Sequence, residues 1–376
     1  MHPRMRDAVD PPRVLIATDV PFWREGRGDA ARIAALTAYL GQRFRVGVIY
    51  LDLSLSGAEP TQREIVECSR RYRMMLVRLP ATDKRLAHAG FAQLAAEFRP
   101  HACVIEHLRL SPLRHRLSPD VLTILDTHDI ISDRNLSFLS HGAVPAHEIS
   151  RDVEFEIFAA FDKVLLIQAG DHRKAAGHIG EDRAILAPHP VQSRQLPARD
   201  KARSIGLIAS SYAPNREGLD WFIREVWPAL TGLGLTLDIY GSICADMQGA
   251  STPGIHLHGR VATVDIAYRS IDIAINPVRF GAGLKIKNVE ALARGLPLVT
   301  TAHSAMGLPT SEPAAFVVAD SSHAFGAAIK SLAASTEQRQ QLSDQAVRLA
   351  AAHFSPDACF AGLARCIVAA AGPGHY

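Results

Sequence analysis

Short apolar runs alternate with amphipathic stretches from Arg13 onward. That alternation predicts parallel strands covered by helices, an α/β fold. RVLIAT (13–18), RVGVIYLD (45–52), MMLVRLP (74–80), ACVIEH (102–107), VLTILD (121–126) and KVLLIQ (163–168) read as strands of a first sheet, with RAILAPHPV (183–191) following. Helices are predicted over 30–40, 61–72, 86–98 and 147–161. A second series comprises SIGLIAS (204–210), LTLDIYGS (235–242), IHLHGRV (255–261), IDIAINPV (271–278), LPLVTT (296–301) and AAFVVA (314–319). Its helices include one whose Leu219, Phe222, Ile223 and Val226 face inward, then 322–352 and 356–371. Between the series, VQSRQLPARDKAR (191–203) is polar, carries a proline and lacks periodicity, so it reads as a linker. The expected units are 1–196, 197–355 and a terminal segment 356–376.

One stretch, FGAGLKIKNVEALARGLPLVTT (280–301), combines a glycine turn, a helix and a buried strand. Gly281, Ala282 and Gly283 let backbone amides approach a ligand closely. A helix starting near Leu284 would aim its free amides and dipole at the same point. Ile286, Val289, Leu292 and Ala293 recur at helical spacing toward the core, while Lys287, Glu290 and Arg294 share another stripe. Lys285 sits in the first turn and can point either way. The arrangement suits a nucleotide diphosphate carrying a sugar, with Glu290 accepting from ribose or sugar hydroxyls. The plainer reading is a capped helix beside a solvated Lys/Glu face, and the combined loop, lysines and glutamate outweigh it.

Other candidates lie at strand ends, where open α/β sheets gather ligands. Gly26 and Gly28 follow the first strand. DTHDIISDR (126–134) puts Asp126, His128 and Asp129 within one turn, with Arg134 beyond. These could orient a sugar hydroxyl or a developing charge, or form an Asx turn with a capping histidine. A metal reading is weaker, because no second histidine or cysteine stands at ligand spacing. Ser210 and Asn215 flank the turn after the SIGLIAS strand, and Tyr240–Gly241 end another. Trp221 and Trp227 read as core residues.

Charge narrows the partners. Lys+Arg number 41 against 38 Asp+Glu, and the basic residues do not interleave with aromatics, so nucleic acid is not expected. The five cysteines, Cys68, Cys103, Cys244, Cys359 and Cys366, form no CxxC pair, which favours a reducing cytoplasm. No bilayer-spanning run is expected, and MHPRMRDAVDPPR lacks a signal-peptide pattern. Basic clusters at Arg70, Arg71, Arg73 and Arg78, and at Arg109, Arg114, His115 and Arg116, read as solvated surface or as a peripheral patch for anionic lipid on the inner face of the membrane.

GAGLKIKNVEALARGLPLVTT resembles the donor-site segment of GT-B glycosyltransferases of the retaining family 4 type. DTHDIISDR resembles the D-x-H-D-x-x-x-x-R element of that family, and SYAPNREGLDWF (211–222) is similar to a third segment facing the sugar diphosphate. The resemblance implies two Rossmann-like domains facing across a cleft, with the last helix crossing back onto the first domain. It implies metal-independent transfer of a hexosyl unit from a nucleotide diphosphate sugar, with retention, to a glycan, lipid-linked or protein acceptor, commonly in bacterial surface-glycan synthesis. No cofactor is implied. His128, Lys285 and Glu290 would serve the reaction. Gly281, Gly283, Leu284, Lys285, Lys287, Ser210 and Asn215 would hold the diphosphate, and Tyr240, Gly241, Arg260, Val261 and Glu290 the nucleoside. Gly26, Gly28, Asp129 and Arg134 would line the acceptor side. Ala282 and Met306 stand where many members carry glutamate, and His189 where an asparagine is usual. A sugar-nucleotide epimerase of the same fold, or an inactive nucleotide-binding module, stays open as an alternative.

Overall fold

A computed structural model describes residues 10–24, 26–52, 59–80, 83–197, 199–247 and 252–372. The leader reading made for residues 1–13 falls, for its first nine residues, outside them. Two parallel sheets account for the apolar runs. The first contains β1 (Arg13–Thr18), β2 (Arg45–Asp52), β3 (Met74–Pro80), β4 (Ala102–Glu106), β5 (Leu122–Asp126), β6 (Lys163–Leu166) and β7 (Ala184–Leu186). Its order is β3-β2-β1-β4-β5-β6-β7. The second contains β8 (Ser204–Ile208), β9 (Thr236–Tyr240), β10 (Ile255–Gly259), β11 (Ile273–Asn276), β12 (Leu298–Thr300) and β13 (Val317–Val318), ordered β10-β9-β8-β11-β12-β13. Helices cover both faces, so central strands such as β4 are buried along their whole length. The order reverses beside β1 and beside β8, and ligands of such sheets collect at those switch points.

The terminal helix Pro356–Ala371 completes the first domain. Its Cys359, Phe360, Leu363 and Ile367 join the cluster formed by Val14, Ile33, Leu36 and Val104. Tyr39 donates to Asp357 at 3.0 Å, and its ring lies 5.5 Å from that of Phe360. Burying side chains of this size contributes about 1.5–3 kcal/mol each.

Several boundaries differ from expectation. The predicted 322–352 helix is two helices, Ser322–Ala334 and Thr336–Phe354, because Ser335 leaves helical geometry and caps the second by accepting from the Gln338 amide. The 147–161 helix shortens to Arg151–Ala159, capped by Ser150. AAFVVA contributes only Val317–Val318 to the sheet. Ile131–Ser140 is helical and was missed. Contrary to the absence of an apolar span inferred from the sequence, Thr336–Ala371 contains an 18-residue window of mean hydropathy reaching 1.3. The helix breaks within it at Ser355–Pro356, and Phe354, Phe360 and Leu363 are spent on the cores.

Candidate active site

The first-domain half is built on β4 and β5. Asp126 ends β5 and is held by Arg32 of the helix Gly28–Gly41, Nε to Oδ2 at 2.8 Å and Nη2 to Oδ1 at 3.0 Å, with both side chains fully buried. A third guanidinium nitrogen donates to the Pro188 carbonyl at 3.0 Å. Beyond Asp126 the chain turns through His128, whose φ of 62° lies in the left-handed region. That conformation costs a non-glycine residue roughly 1 kcal/mol, and here it turns the imidazole back toward β4. His128 Nε2 lies 2.8 Å from Glu106 Oε2 and 4.0 Å from Asp126 Oδ2. Burial opposes charge on the imidazole, but Asp126 and Glu106 outweigh it and raise its pKa. Burial and the Asp126 charge raise the Glu106 carboxyl in turn. The ring of His107 stacks on His128 at 4.1 Å and is held well below its usual pKa by burial and by His128 itself.

Glu106, His107 and Arg32 were not singled out from the sequence. A lone carboxylate closing the apolar run ACVIEH was the available signal for Glu106. Glu106, Asp126 and His128 together resemble a metal donor set. Arg32 engages both oxygens of Asp126, so the carboxylate is already neutralised by a cation. Asp129, the other predicted acidic residue, accepts from Arg134 at 2.9 Å.

The second-domain half is the loop between β11 and the helix Ile286–Ala293. Gly281 (φ 107°) and Gly283 (φ 70°) take conformations that L side chains avoid. The helix begins two residues later than predicted, and Lys285 is its N-cap residue, with no side-chain cap on the first-turn amides. Lys285 points back into the glycine loop, donating to the carbonyls of Ala282 at 3.1 Å and Gly283 at 3.0 Å. Lys287 donates to Asn215 Oδ1 at 2.6 Å, and Asn215 donates to the Ser210 carbonyl at 3.0 Å. Neither lysine has an ion-pair partner among the described residues. Burial pushes the Lys285 amine down to about 8, and burial together with the Lys285 charge pushes Lys287 down to about 7. A ladder from Asn276 to Asn288 (2.7 Å) and from Asn288 to the Ser304 carbonyl (2.8 Å) clamps the helix to β11.

Glu290 takes no part in the solvated Lys/Glu stripe that the spacing allowed. It accepts from Tyr268 at 2.9 Å, while Arg294 pairs with Asp265. Burial raises its carboxyl pKa. It also borders a cavity of about 330 Å³ together with Arg194, Asp265 and residues 189–192. At the strand ends, Gly241 (φ 104°) donates to the Gly259 carbonyl at 2.7 Å. The Tyr240 ring is buried and its hydroxyl lies 2.6 Å from Ser270 Oγ. Trp221 and Trp227 are core residues, as expected.

The two halves meet. The Gly281 amide donates to Ser137 Oγ at 2.9 Å. Phe280 packs against Phe138 and His141, with ring centroids 5.1 and 4.8 Å apart. A Cβ built on Gly283 would lie 3.2 Å from the His128 carbonyl oxygen. One built on Gly26 would lie 3.5 Å from Arg260 Nη1, and one on Gly28 3.0 Å from Ile286. Leu284 is buried beside Gly307. Thus His128, Asp129, Lys285 and the glycine loops converge at one place. Of the N-terminal basic clusters, Arg109 pairs with Asp19 in the loop after β1 and lies close enough to His107 to lower its pKa. Arg70, Arg71, Arg73, His115 and Arg116 are exposed, whereas Arg78 is neutralised by Asp52 and Glu59.

Residues 202–335 match the family model described as glycosyl transferases group 1. HepE of Anabaena, solved with UDP and glucose, superposes with a TM-score of 0.66 at 12% identity, over 94% of this chain and 98% of that one. A mutant of S. aureus TarM, solved with fondaparinux, alpha-GlcNAc-glycerol and UDP, gives 0.73 at 7%, over 95% and 99%. The chain has the GT-B fold. Sucrose-phosphate synthase of Thermosynechococcus elongatus also matches, at 0.68 and 11% identity, over 96% of this chain and 100% of that one. No curated protein sequence matches the chain. The second domain is thus similar to group 1 glycosyltransferase domains, and the matched span contains the glycine loop and both lysines.

Proposed function

We propose that the protein is a retaining, metal-independent hexosyltransferase that moves a sugar from a nucleotide diphosphate sugar to an acceptor hydroxyl. The observation that carries this reading is the pair of partly buried lysines beside an uncapped helix N-terminus, neither of them in an ion pair among the described residues. A bound anion of diphosphate size would hold both amines in the protonated form that burial disfavours. It is also aimed where charge develops as the bond between the anomeric carbon and the phosphate oxygen breaks, so it stabilises the transition state more than the ground state.

In the reaction we infer, the acceptor oxygen bonds to the anomeric carbon on the face the diphosphate leaves. The hydroxyl proton passes to the departing phosphate oxygen. Lys285 and Lys287 hold that oxygen's charge, while His128, fixed by Glu106, binds a hydroxyl of the transferred sugar. Glu290 accepts from the ribose. The UDP in the HepE and TarM structures makes UDP-sugars the first donors to try. Five unpaired cysteines support a cytoplasmic setting, where nucleotide sugars are the common donors. Assembly of a bacterial surface glycan on a lipid-linked acceptor, with exposed arginines of the first domain touching the membrane, is the role this reading favours.

Release of free nucleotide from a panel of UDP- and GDP-sugars, in wild type and in Lys285→Ala, tests the proposal. Nucleotide release that the variant loses supports transfer, and the anomeric configuration of the product reports retention. Epimerised sugar still attached to nucleotide would replace transfer with epimerisation. Binding without release of any kind would leave an inactive module.

A further inference from the structure

A second cluster of coordinating side chains lies outside the cleft, on the edge of the second sheet. Asp238 of β9 and His256 of β10 are direct partners in the parallel ladder. The register then shifts between Leu257 and Gly259, which makes His258 the extra residue of a bulge. Two positions apart on β10, His256 and His258 present their rings to the same face, 6.3 Å apart. His258 Nε2 lies 2.7 Å and His256 Nδ1 3.3 Å from the same oxygen, Asp238 Oδ1. The three ligand atoms all fall within 4.8 Å of one another.

The surroundings fix this geometry. The other Asp238 oxygen accepts the hydroxyls of Ser204 and Thr236, each at 2.7 Å. The His258 ring is stacked on Tyr240, with centroids 4.3 Å apart and planes at 7°. One imidazole would satisfy a structural aspartate; here a single oxygen faces two, from a carboxylate whose orientation is already set. The two imidazoles are 54% and 38% exposed, so an ion has an open approach and water can complete its coordination.

We propose that Asp238, His256 and His258 form a binding site for a borderline divalent transition ion of the zinc class. Two nitrogens and one carboxylate oxygen form a donor set that suits such ions, and bonds of about 2.0–2.2 Å require ligand atoms spaced much as these are. Ser204 and Thr236 are the outer partners that orient the carboxylate. The ion would clip the edge strand β10 to β9 across one face of the sheet, immediately before Gly259–Val261. It takes no part in the transfer step, and the inference does not depend on that activity.

The test uses the full chain stripped with chelator, then titrated with Co²⁺ by absorption and with Zn²⁺ by calorimetry and thermal melting. One ion per chain should bind and raise the melting temperature. His256→Gln, a change at an exposed position, should weaken binding about 100-fold, and His258→Gln likewise. Thr236→Val should weaken it about tenfold by releasing the carboxylate. The proposal is overturned if wild type binds no ion at the site, or if His256→Gln binds with unchanged stoichiometry and affinity.

Discussion

Ser137 of the first domain accepts a 2.9 Å hydrogen bond from the Gly281 amide of the second. That amide was expected to face the donor diphosphate, and it carries a single hydrogen. Ser137 therefore competes with the ligand for it. Ser137→Ala should tighten nucleotide binding several-fold, since one net hydrogen bond is worth about 1 kcal/mol. Calorimetry with UDP checks this, and weaker binding in the variant would mean that Ser137 assists the ligand instead.

Lys285→Ala should lower turnover about 10²- to 10³-fold, the usual cost of removing one preorganised group that stabilises developing charge. The melting temperature should hardly fall, because the amine donates only to two loop carbonyls and its burial is itself costly. Turnover within threefold of wild type would remove Lys285 from the reaction.

The depressed lysines make nucleotide binding pH-dependent. A lysine with a lowered folded pKa surrenders its proton before the unfolded chain does. The unfolded state thus binds more protons from about pH 7 upward, and this contribution to stability rises with pH toward the usual lysine range. A bound diphosphate reverses the shift and draws the protons back. The melting-temperature gain produced by UDP should therefore shrink between pH 6.5 and 9. Calorimetry at pH 8 in buffers of different ionisation enthalpy should show proton uptake, and a buffer-independent heat would contradict it.

Glu106→Gln should lower the pKa of His128, because the Glu106 contact is one of two that raise it. The imidazole signal in NMR should titrate at lower pH, with Asp126 sustaining the remainder. Turnover should fall at least tenfold, about 1.4 kcal/mol of barrier. An unmoved imidazole titration would show that Asp126 alone sets the charge.

Arg32→Met should be the most damaging change to stability. It strands the buried Asp126 carboxylate, a loss of about 3–5 kcal/mol. Thermal melting reads this directly. Arg32→Met with Asp126→Asn should recover part of the loss, since no buried charge then lacks a partner.

The strands were legible because each is buried on both faces and must be apolar throughout, as in β4 and β5. The glycine loop was legible because its two positive-φ positions admit little but glycine. Where the lysines point was not, because Lys285 can turn toward loop carbonyls or solvent without any change in spacing. Glu106, His107 and Arg32 escaped notice for a related reason. Their importance lies in contacts across long sequence separations, Arg32 with Asp126 and Glu106 with His128, and neither local pattern nor propensity encodes such pairs.

The helix Pro356–Ala371 has a consequence for how the molecule comes into being. β7 closes the first sheet at Leu186, yet Cys359, Phe360, Leu363 and Ile367 of that domain's core lie roughly 170 residues later in the chain. At about 5–20 residues per second, a ribosome needs on the order of ten to thirty seconds to cross that interval. Through that time Ile33, Leu36 and Tyr39 lack their neighbours, while the second domain emerges with its own sheet to assemble. The domain translated first is thus the one finished last, and a nascent chain stalled before Pro356 would present an apolar cleft that chaperones can recognise.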